Sequence, residues 1–496
     1  MSNILNVIKD PGLTYEQKVL GLAREAENSI NLLKIDEETQ RYRELGIICD
    51  LYEGHAPYRP RYIAPDYEKF MKQGSEFLKL EPPTNIWEAT NNLLILYKHV
   101  PSITSFPVYI GSLDKLLDPF IKDEDEAYLA IKLFLTHIDR TITDSFCHGN
   151  LGPEDSKAGR IILRVQRELQ VPTPNLTVKY SKELTPDEFA IDCINTSLIT
   201  AKPSFANHEM FKSEFGENYV IASCYNGLKI AGGAHTLVRL NFGKLVKEAK
   251  SIEHLIEELM PNVIKKMCGY MDERIRFLVE ESNFFESNFL VKEELIYKEN
   301  FTGMFGMVGL ADCVNEILQA TELKDRFGHS KNANALGQRI IKKLNDEVMA
   351  HHNKYCVFSN GKFHLHAQVG LDTDNGIAPG CRVPIGDELE IQDELLVCAK
   401  FHKYFPSGIG DVFSFDTTVK NNPQYVLDII NGGFNVGVRY FSPYASDCDV
   451  VRITGYLVKR SEMEKIERGE AVLRDTTVLG LGAAKNQKVL QRKMRK

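Results

Sequence analysis

The sequence has no apolar run of the roughly 18 residues that a membrane-spanning helix needs. Its start, MSNILNVIKD, also lacks the order of a secretion signal, because Lys9 and Asp10 interrupt it at once. We therefore expect a cytoplasmic protein with no membrane partner. The net charge is −8, and no basic stripe occurs before the last residues, KVLQRKMRK. This argues against nucleic acid as the main partner.

Several common catalytic and metal-binding patterns are missing as well. The chain has 10 cysteines but no CxxC pair, which excludes a zinc ribbon, a cysteine-ligated iron–sulfur site and a disulfide scaffold. No G-x-S-x-G stretch provides the nucleophile of an α/β-hydrolase. His364 and His366 would share one face of a strand, but no third ligand lies near them in sequence. We interpret both as structural histidines and predict no metal site.

The order of predicted elements indicates an α/β fold. Helical patterns dominate the first third of the chain, and strands alternate with long helices after Pro174. This alternation favours one α/β core, with residues 1–100 as an N-terminal helical wrap and residues 101–496 as the catalytic domain. The main predicted helices are 14–33, 85–99, 126–140, 184–200, 251–282, 310–327, 332–350 and one that begins at Asn422-Pro423, and the main predicted strands are 174–180, one from Tyr219, one after His364 and the interrupted 449–459.

Two short stretches stand out. In YVIASCYNG (219–227), an apolar strand leads into Asn226-Gly227, a strong signal for a tight hairpin turn, which puts Cys224 near the tip of a loop. In VVRITGYLV (450–458), strand-forming residues flank Gly455, which predicts a bulge or a close approach of the backbone. Taken singly, each stretch has a purely structural explanation, which is a small buried cysteine for the first and a bulge glycine for the second.

Taken together, the cysteine and the glycine suggest radical chemistry. A glycine Cα–H bond between an amide nitrogen and a carbonyl is easily oxidised, because the unpaired electron delocalises over both neighbours and no Cβ hinders a flat centre. A cysteine S–H bond is of comparable strength, so hydrogen transfer between the two is nearly thermoneutral. Such a pair needs two loops that meet in a dry interior.

The stretch RITGY (452–456) resembles the Arg-Val-x-Gly-Tyr motif of the glycyl radical enzymes, the family of pyruvate formate-lyase, choline trimethylamine-lyase and anaerobic ribonucleotide reductase. Further landmarks follow the family's order, and they cover about two thirds of the chain. They are GSLDKLLDPF (111–120), PNLTVKY (174–180), KPSFANHE (202–209) and SCYN (223–226). The sequence is most similar to the YjjI-type branch, which it also resembles at 48–62, 100–114 and 284–295.

This resemblance implies a ten-stranded α/β barrel wrapped by helices, with a C-terminal glycine radical segment of about 425–496 and the cysteine and glycine loops at its centre. It implies a stored radical on Gly455 as the only cofactor and a transient thiyl on Cys224. Arg452, Thr454 and Tyr456 then complete the radical-loop motif. The residues beside the cysteine, Tyr225 and Asn226, become candidates for binding a small-molecule substrate.

The resemblance leaves the overall reaction open, because Asn226 stands where the eliminases of the family carry a glutamate base, and Tyr225 stands where pyruvate formate-lyase has a second cysteine. Elimination or cleavage of a C–C or C–X bond is the expected reaction type. The alternatives are a repair subunit that lends its radical to a damaged lyase, ribonucleotide reduction, and a non-radical enzyme with Cys224 as nucleophile.

The chain has no cluster-binding cysteine motif with which to generate a radical. We therefore expect a separate radical S-adenosylmethionine activating enzyme as partner, and we expect residues 440–496 to open locally for it. Because oxygen attacks a glycyl radical, the active protein must work without air. A homodimer stays open as the oligomeric state.

Overall fold

The protein has a mixed α/β fold, and its computed structural model describes residues 2–51, 57–101, 106–367, 374–486 and 488–496. Residues 52–56 and 102–105, which belong to two of the stretches that resemble YjjI-type proteins, lie outside the described residues. The strands are β1 (Ile48–Cys49), β2 (Tyr62–Ala64), β3 (His148–Leu151), β4 (Asn175–Tyr180), β5 (Ser204–Asn207), β6 (Tyr219–Ala222), β7 (Asn226–Lys229), β8 (Gly232–Asn241), β9 (Phe301–Val308), β10 (His364–Ala367), β11 (Asp411–Phe415), β12 (Tyr440–Ala445), β13 (Val450–Arg452), β14 (Leu457–Lys459) and β15 (Met494–Arg495).

Helices lie between most of these strands and match most of the predicted positions. The α-helices are α1 (Ser2–Lys9), α2 (Tyr15–Asn28), α3 (Glu37–Glu44), α4 (Tyr67–Gln73), α5 (Ile86–Lys98), α6 (Leu113–Leu117), α7 (Glu124–Thr141), α8 (Lys157–Leu169), α9 (Asp187–Thr200), α10 (His208–Phe215), α11 (Phe242–Leu245), α12 (Met260–Arg276), α13 (Phe284–Ser287), α14 (Phe289–Lys292), α15 (Leu310–Ile317), α16 (Lys331–Ala350), α17 (Ile391–His402), α18 (Pro423–Asn435), α19 (Arg460–Glu467) and α20 (Asp475–Asn486). None of these described helices is both long and apolar enough to cross a bilayer.

Most of the strands form two larger sheets. In the first, β8, β9 and β10 are parallel neighbours, and the short strands β1 and β2 pair antiparallel with β8. In the second, the order is β15-β11-β12-β5-β4-β3, with only the β12–β5 pair antiparallel. No strand pairing among the described residues joins the two sheets. The predicted α/β class is confirmed, whereas the count of ten barrel strands and the domain boundary at residue 100 stay predictions.

Two hairpins stand apart from these sheets, and they bring together the stretches that the sequence singled out. One is β6–β7 and the other is β13–β14. A single apolar cluster contains residues of both, including Ile221, Cys224, Val451 and Ile453. The hairpins therefore share one core, although about 230 residues separate them along the chain.

One predicted helix is shorter than expected. The pattern of residues 310–327 predicts a single helix, but α15 ends at Ile317. Gln319 adopts a left-handed backbone conformation with φ of 51°, which stops the helical hydrogen-bond pattern. The Asn315 side chain then accepts a hydrogen bond from the backbone of Phe327 at 2.7 Å and folds the following loop back onto the helix.

Candidate active site

Cys224 lies at the centre of a three-residue hairpin loop. Ala222, the last residue of β6, pairs with Asn226, the first residue of β7, so the turn consists of Ser223, Cys224 and Tyr225. Ser223 has a left-handed backbone with φ of 58°. The predicted turn at Asn226-Gly227 was wrong, because both residues already belong to β7.

Packing, rather than a turn, explains the glycine that follows Asn226. A Cβ on Gly227 would lie 2.7 Å from the ring of Phe211, so this strand can approach the phenylalanine only with glycine at that position. The Asn-Gly pair therefore looks like a hairpin signal in the sequence, while its glycine serves a close contact between β7 and α10.

Gly455 lies in the loop of the second hairpin. Arg452 pairs with Leu457 across β13 and β14, and residues 453–456 form the connection. The sequence predicts a bulge or a close approach of the backbone at this glycine, and the structure shows the close approach. A Cβ on Gly455 would lie 2.6 Å from Sγ and 3.0 Å from Cα of Cys224. Only glycine fits there, and its Cα faces the cysteine side chain directly.

Two side chains hold the Gly455 carbonyl. Asn175 Nδ2 donates to its oxygen at 2.9 Å, and Arg452 Nη1 donates at 3.1 Å. The Arg452 guanidinium is fully buried and also donates to the carbonyl of Ala201 at 2.8 Å. Asn175 was not singled out by the sequence analysis. The signal in the sequence that could have identified Asn175 is its position, because it is a polar residue at the start of a strand that is otherwise suited to burial.

The thiol of Cys224 is buried, and burial raises its pKa to about 12. It therefore stays protonated at neutral pH. Its backbone is fixed by a chain of buried polar groups that the sequence analysis missed, in which Tyr440 donates to the Cys224 carbonyl at 3.2 Å and also pairs with Thr177 at 2.6 Å. His148 continues this chain, with Nε2 at 2.7 Å from Thr177 and Nδ1 at 2.8 Å from the carbonyl of Ser223. Burial lowers its pKa to about 3, so the imidazole is neutral.

The two candidate substrate-binding residues differ in how they are held. Tyr225 donates from its hydroxyl to the carbonyl of Ala367 at 2.8 Å, and its ring packs against His366 and Tyr440. Asn226 is 1% exposed, and neither atom of its amide has a hydrogen-bond partner in the part of the chain that the structure describes. A buried amide without partners is costly, and a ligand could satisfy it.

The remaining motif residues occupy the loop of the glycine hairpin. Thr454 is fully buried, and its hydroxyl finds no partner among the described residues. Tyr456 packs its ring against Phe146, with ring centres 4.9 Å apart. Ser145 anchors the end of this loop, since its hydroxyl accepts from the backbone N–H of Leu457 at 2.9 Å and donates to the same residue's carbonyl at 2.7 Å.

The two histidines of β10 make separate contacts. His364 packs against the rings of Phe215 and Phe358, whereas Nδ1 of His366 lies 2.9 Å from the carbonyl of Ser407. Within the described ranges, no three side chains of histidine, cysteine, aspartate or glutamate converge to hold a metal ion.

The whole chain resembles known bacterial proteins. The family profile described as "Glycyl radical enzyme YjjI-like" matches residues 13–495. An uncharacterised protein of Haemophilus influenzae is 47% identical over 501 residues, which cover 100% of this chain and 98% of that protein. The uncharacterised protein YjjI of Escherichia coli is 41% identical over 492 residues, which cover 99% of this chain and 95% of that protein.

A solved structure extends the likeness to the fold. The hydroxyproline dehydratase of Clostridioides difficile superimposes with a TM-score of 0.72 and 13% sequence identity, over 100% of this chain and 88% of that one. At this identity the likeness concerns the fold alone. On the profile match and the two full-length relatives, the chain belongs to the YjjI-like glycyl radical enzyme family.

Proposed function

We propose that Gly455 stores a radical and that Cys224 uses it to take a hydrogen atom from a small polar substrate. The contact between the Cα of Gly455 and the Cys224 side chain carries this proposal, since hydrogen transfer needs the reacting atoms to be adjacent and aligned. Burial of both loops supports it, because water and oxygen would destroy either radical.

The sequence of transfers is balanced at each step. The Gly455 radical takes the hydrogen atom of the Cys224 thiol, which restores the glycine and leaves a thiyl. The thiyl takes a hydrogen atom from a C–H bond of the substrate and returns to the thiol. After the substrate radical has rearranged, the product radical recovers that hydrogen atom, and the thiyl takes one back from Gly455.

The protonation state of Cys224 favours this role over nucleophilic catalysis. A nucleophile must be a thiolate, and reactive cysteines have lowered pKa values. Burial instead raises the pKa of Cys224 to about 12. A thiol that keeps its proton is suited to donating a hydrogen atom.

The substrate is expected to be a hydroxylated or carbonyl compound. A carbon radical next to an oxygen substituent weakens the bond to a group on the neighbouring carbon, so elimination or cleavage of a C–C or C–X bond would follow. The unpartnered amide of Asn226, two residues from Cys224, can both donate to and accept from such a substrate. It cannot take up a proton, so any base must lie elsewhere.

In this proposal, a separate radical S-adenosylmethionine enzyme generates the radical by removing one hydrogen atom from Cα of Gly455. Because this atom is buried against Cys224, the hairpin β13–β14 must first leave the core. Anaerobic activation with such an enzyme, followed by electron paramagnetic resonance, tests the proposal. A doublet from a single α-hydrogen is expected, and a protein that remains silent although its activase cleaves S-adenosylmethionine contradicts it.

Exposure of the activated protein to air should cut the chain beside Gly455. Oxygen adds to the carbon radical, and the peroxyl product breaks the backbone, which releases a C-terminal peptide of about 42 residues (455 to 496 inclusive). Mass spectrometry identifies the new ends. Protein that has not been activated should stay intact in air, and a cut at any other position would argue against Gly455.

The Asn175→Ala variant should hold its radical less well. The unpaired electron spreads onto the Gly455 carbonyl, where Asn175 donates at 2.9 Å. A lost hydrogen bond of about 1 kcal/mol would shift the exchange between glycyl and thiyl about fivefold towards the thiyl. The rate at which the doublet decays under anaerobic conditions measures this shift. Asn431→Ala, which removes a hydrogen bond to Tyr180 away from the loop, is the matched control, and equal decay in both variants would contradict the role of Asn175.

A further inference from the structure

A cavity of about 450 Å³ lies beside the two hairpins. Residues 376–388, the start of β11 and C-terminal residues from 486 to 495 line it. It therefore adjoins β11 and β15, at the edge of the second sheet. One wall of the cavity comes from the segment between β10 and β11, and another comes from the C-terminal segment that follows the glycine hairpin.

Two arginines connect this cavity to the two hairpins. Arg492, in the C-terminal segment, donates to the backbone carbonyls of Arg452 at 2.7 Å and Ile453 at 2.5 Å, three and two positions before Gly455. Arg382, from the other wall, donates from Nε to the carbonyl of Gly410 at 2.7 Å. Its guanidinium carbon lies 5.9 Å from the ring centre of Tyr225, the neighbour of Cys224.

Three guanidinium groups lie near one another at this place, with a single carboxylate beside them among the described residues. Burial lowers the pKa of Arg452, and the charges of Arg382 and Arg492 lower it further, so the three guanidinium groups act on one another. Among the described residues, the only carboxylate within 4 Å of any of the three is Asp411, 3.5 Å from Arg382. Asp411 also lies 3.3 Å from His402, and Nη2 of Arg382 is buried with no partner in the described chain.

None of the other carboxylates that line the cavity lies within 4 Å of these three arginines in the described chain, and each accepts from another donor. Asp387 pairs with Arg326 at 2.8 Å, Glu394 pairs with Arg495 at 2.5 Å, Glu388 accepts from the backbone N–H of Lys493 at 3.0 Å, and Asp312 accepts from that of Ala378 at 2.7 Å. Of the two lysines that line the cavity, Lys493 pairs with Glu390 at 2.6 Å, whereas Lys488 is exposed.

We propose that this cavity binds a small anion bearing a carboxylate or phosphate group between Arg382 and Arg492. Nη2 of Arg382 offers a donor that no described residue uses, and charge-assisted hydrogen bonds from guanidinium groups to such anions are strong. The bound anion would connect the segment between β10 and β11 to the C-terminal segment and so hold the glycine hairpin in its buried position. This inference goes beyond the radical chemistry, because it concerns the protein before activation.

Titration of the unactivated full-length protein with sodium phosphate and with sodium malonate, at constant ionic strength, tests the site. We expect calorimetry to show saturable binding of at least one of the two anions. The anion that binds more tightly shows whether the cavity recognises phosphate or carboxylate. Arg382→Gln and Arg492→Gln should each weaken it about tenfold. The same anion should slow hydrogen exchange of the peptides that contain residues 450–459.

Lys354→Gln is the control, since Lys354 is an exposed lysine whose ammonium group pairs with Glu280, away from the cavity, and it should bind as the wild type does. If Arg492→Gln does not fold, Lys488→Gln tests the same wall from an exposed position, with weaker binding expected. No saturation by either anion, or equal binding in the wild type and the cavity variants, would overturn the proposal. None of these outcomes depends on a radical, so the proposed function is tested separately.

Discussion

The Gly455→Ala variant is expected to give no glycine-centred doublet after anaerobic activation. The added methyl group would lie 2.6 Å from Sγ of Cys224, so the two hairpins could not keep their contact. A methyl group also crowds the flat geometry that a main-chain radical needs. We therefore expect complete loss of the signal, measured by electron paramagnetic resonance at equal protein concentration, and complete loss of cleavage in air.

The matched control for this variant is Gly432→Ala, in α18. Nothing lies within 4 Å of a Cβ built on Gly432, and the residue is exposed, so an alanine there should keep the full doublet. If Gly455→Ala gave the same signal as Gly432→Ala, the radical would reside elsewhere. Thermal unfolding of both variants separates loss of the radical from loss of the fold.

Local sequence patterns were sufficient to predict much of the fold. The predicted helix that begins at residue 14 contains α2, where Thr14 and Gln17 form a capping box, and the predicted strand PNLTVKY contains β4. These features depend on neighbours within a few residues. The Asn226-Gly227 turn was wrong for the same reason, because the contact that requires Gly227 comes from Phe211, on another element.

The surroundings of the candidate site could not be predicted in this way. Asn175 and the carbonyl that it holds are 280 positions apart, and 216 positions separate Tyr440 from the Cys224 carbonyl. Arg492 lies in the basic C-terminal stretch KVLQRKMRK, and it holds two carbonyls of the glycine hairpin. Such contacts depend on the packing of distant elements, and no pattern within one stretch indicates them.

The Cys224→Ser variant should keep the glycyl radical but lose its ability to pass it on. Serine has nearly the same shape, so the contact with Gly455 is preserved, but its O–H bond is far stronger than an S–H bond and the hydrogen transfer becomes strongly uphill. In deuterium oxide, the wild-type doublet should collapse to a singlet, because Cys224 delivers deuterium to the glycine and removes the remaining hydrogen. In Cys224→Ser the doublet should persist. Electron paramagnetic resonance spectra recorded over time measure this difference.

This readout needs no knowledge of the substrate, and it separates the two main interpretations of the chain. A subunit that only lends its glycine radical to another enzyme would not need a thiol against Gly455, so its signal would be the same with either residue at position 224. Cys268→Ser, in a different core cluster, is the matched control and should exchange as the wild type does. Collapse of the doublet at the same rate in Cys224→Ser would mean that hydrogen reaches Gly455 by another route, and the thiyl role of Cys224 would then be wrong.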